Sequence, residues 1–176
     1  MNNSDCVICC HGIAKDPKTN NFMMVMNYYE FIGCYIKHGV CKECEQPNTG
    51  IFWCQPCNAQ HFQQDFKNWT SKNHEIDEFI QNAQLKARNY WNLLEWIDYD
   101  RFENVEYLAE SEFETTYKAI WKDGYIFSWD FKNNQWERYN EYYKKGQPVI
   151  LKCLHDSQDI TNEFLRKVKY FFYNFH

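Results

Sequence analysis

The chain has 176 residues, 44% hydrophobic and 24% charged, a mixture that fits one ordinary globular domain or two small ones and excludes a chain too polar to bury a core. Its net charge of -5 argues against a dominant nucleic-acid surface. The most apolar stretch, 22–36, is broken by Asn27, Glu30 and Gly33, so neither a membrane span nor a secretory leader is expected. Nine cysteines without a leader then read as reduced thiols in a cytoplasmic or nuclear protein rather than as a disulfide framework.

Residues 1–38 hold two apolar runs, 7–13 and 22–26, on either side of Lys15-Asp-Pro-Lys-Thr-Asn-Asn21, a cluster of turn formers that predicts a strand hairpin with a long loop. Residues 39–58 carry the densest cysteine pattern. Over 59–98 the texture turns helical, with Ile76, Phe79, Ile80 and Ala83 at i, i+3, i+4 and i+7 behind Ser71 and Asn73 as candidate caps. From residue 99 strands are predicted at 105–108, 115–121, 125–130 and 149–154, separated by turn signals such as Lys122-Asp-Gly124 and Lys145-Gly-Gln-Pro148. A last helix is expected after Thr161 as N-cap. Ile160 and Leu165 stand at staple positions, and Phe164, Leu165, Val168, Phe171 and Phe172 form one apolar stripe.

Cys41-Lys-Glu-Cys44 and Cys54-Gln-Pro-Cys57 are two CxxC pairs with nine residues between them. A CxxC turn presents two sulfurs to one point, and a tetrahedral zinc ion takes four thiolates at about 2.3 Å, so two facing turns complete its shell. Pro47, Asn48 and Gly50 supply turn residues for a small hairpin between them. A structural zinc ion on Cys41, Cys44, Cys54 and Cys57 is therefore expected. Redox chemistry is not, because a thioredoxin-like site needs one CxxC opening a helix in a βαβ setting. Cys6, Cys9 and Cys10 beside His11 read as buried thiols on a hairpin strand; Cys34 and Cys153 have no neighbour at ligand spacing, and His38 is a ligand that four cysteines make unnecessary. The pattern Cys44-x3-Asn48 resembles Ran-binding-protein-type zinc fingers, which bind single-stranded RNA or ubiquitin. The chain departs from them in having five residues rather than six between Asn48 and Cys54, and Gly39 where they have tryptophan. That resemblance makes Phe52 and Trp53 a stacking or partner face; packing against the linker helices is their more ordinary use.

Three later stretches carry a second resemblance. Leu108-Ala-Glu-Ser-Glu-Phe-Glu-Thr-Thr-Tyr-Lys-Ala119, Pro148-Val-Ile-Leu-Lys152 and Asn162-Glu-Phe-Leu-Arg-Lys-Val168 resemble, in order and spacing, the first three strands and the following helix of a protein-kinase small lobe. Taken with the cysteine pairs, Phe62-Gln-Gln-Asp-Phe-Lys-Asn-Trp-Thr70, Leu94-Glu-Trp-Ile97 and Tyr99-Asp-Arg-Phe102, residues 39–176 resemble a fungal family of tyrosine-kinase-like protein kinases. In that family a zinc-ribbon-like segment and a helical linker precede the kinase domain. Residues 10–30 resemble a later part of the same kinases, the fourth and fifth strands and the hinge near Met26 to Tyr28. The order is displaced, so the resemblance implies a truncated and rearranged member, with residues 7–30 beside the strand at 149–154. The implied fold is α+β: a hairpin in 1–38, a small zinc ribbon in 39–58, a helical linker in 59–98, and in 99–176 an antiparallel sheet with one packed helix.

The same resemblance implies a degenerate nucleotide site. Kinases lay glycines over the nucleotide phosphates so that backbone N–H groups can approach them; the matching positions here are Ala109, Ser111 and Glu114, interleaved with Glu110 and Glu112. Lys152 matches the lysine that contacts those phosphates, but Ile150 replaces the small residue beneath the adenine, and Lys167 replaces the helix glutamate that pairs with the lysine. Glu163, one turn before Lys167, is an alternative partner. In their plainest readings Lys152 is a solvated strand lysine and Glu163–Lys167 an ordinary i, i+4 pair. Neither His-Arg-Asp nor Asp-Phe-Gly occurs, so magnesium and ATP are not expected as cofactors. The expectation is a non-catalytic, pseudokinase-like interaction protein with structural zinc, its partner a protein such as a related kinase; nucleic acid and membrane are not expected partners. The alternatives are a zinc-finger module for single-stranded RNA or ubiquitin, and a weak ATP-binding pseudokinase.

Overall fold

The computed structural model of the chain describes residues 10–28, 39–139, 146–155, 157 and 162–174. Cys10–Lys15 (β1) and Phe22–Asn27 (β2) form an antiparallel hairpin. Asp16 fixes its turn by accepting from the Lys18 amide at 3.0 Å and the Thr19 hydroxyl at 2.7 Å. Then come helices α1 (Gln55–Asp65) and α2 (His74–Lys86), the short strand β3 (Glu95–Trp96), and the hairpin of β4 (Phe102–Glu110) and β5 (Glu114–Trp121). A second hairpin, β6 (Ile126–Asp130) and β7 (Gln135–Arg138), precedes strand β8 (Gln147–Leu154) and helix α3 (Asn162–Asn174).

Six strands make one sheet in the order β3-β1-β2-β8-β5-β4. The N-terminal hairpin therefore joins a strand more than a hundred residues away: Met24 stands opposite Lys152 and Met26 opposite Ile150, while Thr116 flanks Lys152 on the other side. This central position explains why β2 is buried at every residue from Phe22 to Met26 rather than at alternate ones. On one face Ile13, Met24, Met26 and Leu154 meet the stripe of α2 (Ile76, Phe79, Ile80, Ala83) and that of α3 (Phe164, Leu165, Val168, Phe172). On the other, Met23, Val25, Val149 and Leu151 pack with Ala119, Trp121, Ile97 and Phe102.

The architecture is α+β, with corrections to the expected arrangement. The sheet is mixed, not antiparallel, because β3 runs parallel to β1 through Gly12 opposite Glu95. A Cβ on Gly12 would stand 2.4 Å from the Glu95 carbonyl oxygen, so only glycine admits that approach. The helical texture expected as far as residue 98 stops at Lys86, where Gln84 turns its amide to the Leu94 carbonyl at 2.9 Å and leads the chain into β3. Helix α1 begins earlier than expected, inside the cysteine region, with Pro56 in its first turn. The strand expected at 125–130 leaves the main sheet and pairs with β7, which the sequence did not announce. Buried Glu95 holds this hairpin to β3 by accepting from Arg138 at 2.5 Å. Thr161 and Ile160, the cap and staple expected for α3, lie outside the described residues, as do Cys6, Cys9, Cys34 and His38. No helix among the described residues is long and apolar enough to cross a membrane.

Candidate metal centre

The segment from Gly39 to Asn58 folds around its own sulfurs. The Cys41 amide donates to the Gln46 carbonyl at 2.8 Å and the Glu45 amide returns to Cys41 at 3.0 Å, closing a knuckle in which Glu45 takes a left-handed φ of 58°. A bridge between Val40 and Pro47 ends the knuckle, and a second tight turn joins Gly50 to Trp53. The chain then enters α1 directly: Cys54 is its N-cap residue and Cys57 lies in its first turn. The pairs are thus one knuckle and one helix start, not two turns of a strand ribbon. The helix start suits the chemistry, because the unpaired N–H groups and dipole of a helix N-terminus favour thiolates.

Cys41, Cys44, Cys54 and Cys57 place their sulfurs within 4.8 Å of one another. Cys41 and Cys57 are 3.8 Å apart and Cys44 and Cys54 3.6 Å. A tetrahedron with metal–sulfur bonds of about 2.3 Å has edges of about 3.8 Å, so the four atoms stand where a zinc ion needs them. They are far from disulfide distance, and all four cysteines are free. Burial pushes the Cys57 thiol up and raises Cys54 to about 11, while the Gln46 amide, donating to Cys44, draws that thiol down. Three of the four are buried, so four thiolates cannot coexist here without a cation to offset them. Among the described residues this is the one cluster of metal-ligating side chains; it can hold a metal ion.

The centre is tied to the helices rather than hung beside them. Trp53 is fully buried and donates its indole N–H to the Ala87 carbonyl at 2.8 Å, Gln55 donates to the Leu85 carbonyl at 2.7 Å, and the Thr49 hydroxyl to that of Arg88 at 2.8 Å. The last carbonyls of α2 and of the turn after it thus find their donors in the cysteine segment. Trp53 also stacks on Trp136 of β7, which lies 4.1 Å from Phe62 of α1. Of the two aromatics offered as a stacking face, Trp53 is therefore core and Phe52 alone is exposed, at 66%.

The lysine site is closed by its own chain. Lys152 on β8 bonds the Glu114 carboxylate at 2.5 Å, and both side chains are about three-quarters buried. His155 secures the β4–β5 turn, taking a contact from Thr115 at 2.8 Å and one with the Glu112 carbonyl at 3.1 Å while its amide donates to Phe113 at 3.0 Å. Ile150 is half-buried against the core. The Lys167 ammonium lies 5.8 Å from the centroid of the Phe113 ring; the Glu163 side chain lies outside the described residues. Sequence reasoning placed Glu114 among three acidic loop residues and missed it as the partner of Lys152. The signal was available only through strand register, since β5 and β8 pair Glu114 with Leu154 and so set it diagonally across from Lys152, two residues along and on the same face. His155 carried no signal.

Fold and centre together define a mixed α+β chain with a four-cysteine cluster that could hold a metal ion. No protein-family profile, curated protein or solved structure matches it.

Proposed function

We propose that the chain is a zinc-stabilised, non-catalytic binding protein whose body is a rearranged protein-kinase small lobe. The observation that carries this reading is the pairing of β2 with β8 in a sheet that also holds β5 and β4, with α3 on one face. It is the adjacency the resemblance requires of a lobe whose fourth and fifth strands come first in the chain. Zinc is the metal that four thiolates at tetrahedral spacing suit, and with four protein ligands it has no open position for chemistry. Glu114 occupies the ammonium that a nucleotide phosphate would need, and displacing it would bring the triphosphate against Glu110, Glu112 and Glu114 together.

Metal analysis of purified protein, paired with thermal unfolding in the presence and absence of ATP and magnesium, tests both halves. One zinc per chain and a melting temperature unmoved by millimolar ATP are expected. A rise with ATP that Lys152→Ala abolishes would overturn the claim that the lysine site takes no nucleotide, in favour of a nucleotide-binding pseudokinase.

A further inference from the structure

A cleft of about 480 Å³ lies between the cysteine knuckle and the β6–β7 hairpin, with Val40, Cys41, Phe52 and Cys54 on one wall and residues 127–132 with Glu137 on the other. Phe52 stands at this cleft with a left-handed φ of 53°, a conformation that costs a bulky residue about 1 kcal/mol or more, and it keeps most of its ring in water. It leans on Phe127 at 5.7 Å; Trp129 stacks one face on His61 at 3.9 Å, and Phe131 is 43% exposed. The Gly50–Trp53 turn holds Phe52 in this conformation and so presents its ring, beside three other aromatics on a concave surface, to whatever enters the cleft.

The charges of the cleft select the guest. Asp130 is fixed by the amides of Lys132 and Asn133 and by the Asn133 side chain at 2.6 Å, and those bonds, the Asn133 side chain first, hold its carboxyl below the usual range. Glu137 is fixed by the Ser128 hydroxyl at 2.5 Å. Lys42 and Lys132 also line the cleft and offset part of this charge, Lys132 helping to hold the Asp130 carboxyl down, but both are exposed on long stems that an incoming cation can displace. Cys41 and Cys54 belong to a centre that carries a net charge of about -2 when four thiolates hold one zinc ion. Anchored negative charge and aromatic faces oppose an anionic guest and attract a cationic one.

We propose that this cleft docks a basic peptide segment of a partner protein, seating an arginine or lysine side chain against Phe52 and Trp129 with the carboxylates of Asp130 and Glu137 beside it. The inference rests on the binding reading above and supplies the partner's chemistry.

The test is a titration of the zinc-loaded, 15N-labelled full chain, reading the indole N–H signals, with N-acetyl-Gly-Gly-Arg-Gly-Gly-amide, with the same peptide bearing neutral citrulline, and with oligothymidylate. Saturable shifts with the arginine peptide are expected, at least tenfold weaker with citrulline and at least tenfold weaker in Phe52→Ala or Glu137→Gln. Phe52→Ala removes an exposed ring and keeps the Cβ and so the backbone's left-handed turn, so its fold should persist. Equal binding of the citrulline peptide, tighter binding of oligothymidylate, or binding indifferent to Phe52→Ala would overturn the proposal. Zinc content measured on the same samples separates the two readings: a loaded chain that ignores the peptide defeats this one alone, and a zinc-free chain that binds it defeats the metal reading alone.

Discussion

At Cys41, Cys44, Cys54 and Cys57 four side chains of one chemical kind converge with no opposite charge among them, whereas at Lys152 the opposite charge is already in place. The cysteine segment spends its local hydrogen bonds on setting sulfurs 3.6–3.8 Å apart, a separation that suits thiol–thiol contact and equally the edges of a tetrahedral thiolate shell. The β4–β5 turn spends its own on the reverse: Glu114 reaches Lys152 and His155 ties the turn down behind it. One site gathers four thiols that could hold a cation, and at the other the cation is already paired. Charge complementarity inside the chain thus separates a site that still invites a ligand from one that does not.

The largest effect that can break this contrast is at the metal. Cys54→Ser, or chelation, should empty the centre and release Trp53, Gln55 and Thr49 from the end of α2. With free zinc a thousandfold above its dissociation constant the expected loss is about 4 kcal/mol, measured by denaturant unfolding with and without chelator. Equal stability in both conditions would show the cluster to be a set of buried thiols only. The pH dependence sharpens the same point. Cys54 is raised to about 11 and Cys57 is raised as well, so in the metal-free chain both are protonated near neutrality and zinc must expel both protons. Apparent affinity should therefore rise by at least about a hundredfold per pH unit between pH 6 and 8 and fall correspondingly on acidification, as read by competition with a chromogenic chelator. A flat profile would mean that the thiolates exist before the metal arrives.

Next in size is the seam between the centre and the helices. A Cβ on Gly50 would stand 2.7 Å from the Asn89 Cβ and 2.8 Å from the Arg88 carbonyl, a contact with backbone that no rotamer relieves. Gly50→Ala should cost about 1–3 kcal/mol in thermal or denaturant unfolding while leaving one zinc per chain. Loss of zinc in that variant would show that the seam, not the sulfurs alone, sets the geometry of the centre.

What the sequence made legible follows the range of the forces involved. The stripe of α2 and its cap were readable because both are local: Asn73 accepts from the Glu75 and Ile76 amides, and Ile76, Phe79, Ile80 and Ala83 are buried on one side. The cysteine set was readable because a metal shell restricts residue type and spacing together. The start of α1 was signalled by Pro56, but the cysteines around it drew the region toward a ribbon. Strand β7 is four residues, Gln-Trp-Glu-Arg, whose place depends on Trp136 meeting Phe62 and on Arg138 reaching Glu95, forty-three residues earlier in the chain. The parallel pairing of β3 is two residues long and rests on a glycine in another strand. None of these contacts leaves a periodic trace in its own neighbourhood.

The smallest expected effect bears most directly on the closed site. The Lys152–Glu114 pair is about three-quarters buried, between an exposed pair and a fully buried one, so removing one partner should cost on the order of 1 kcal/mol. Glu114→Gln is the sharper change, because it frees the ammonium while keeping the shape of the turn that His155 holds. If Glu114 alone had closed the site, this variant would gain stability from millimolar ATP and Lys152→Ala would not. Glu110 remains beside His155 at 3.7 Å, and Ile150 keeps its place against the core. Neither is altered by the substitution, and on the proposed kinase-like reading one opposes a nucleotide by charge and the other by volume. The expected result is therefore that Glu114→Gln, like the unaltered chain, shows no shift with ATP, which would trace the lack of a nucleotide response to the whole surface rather than to one ion pair.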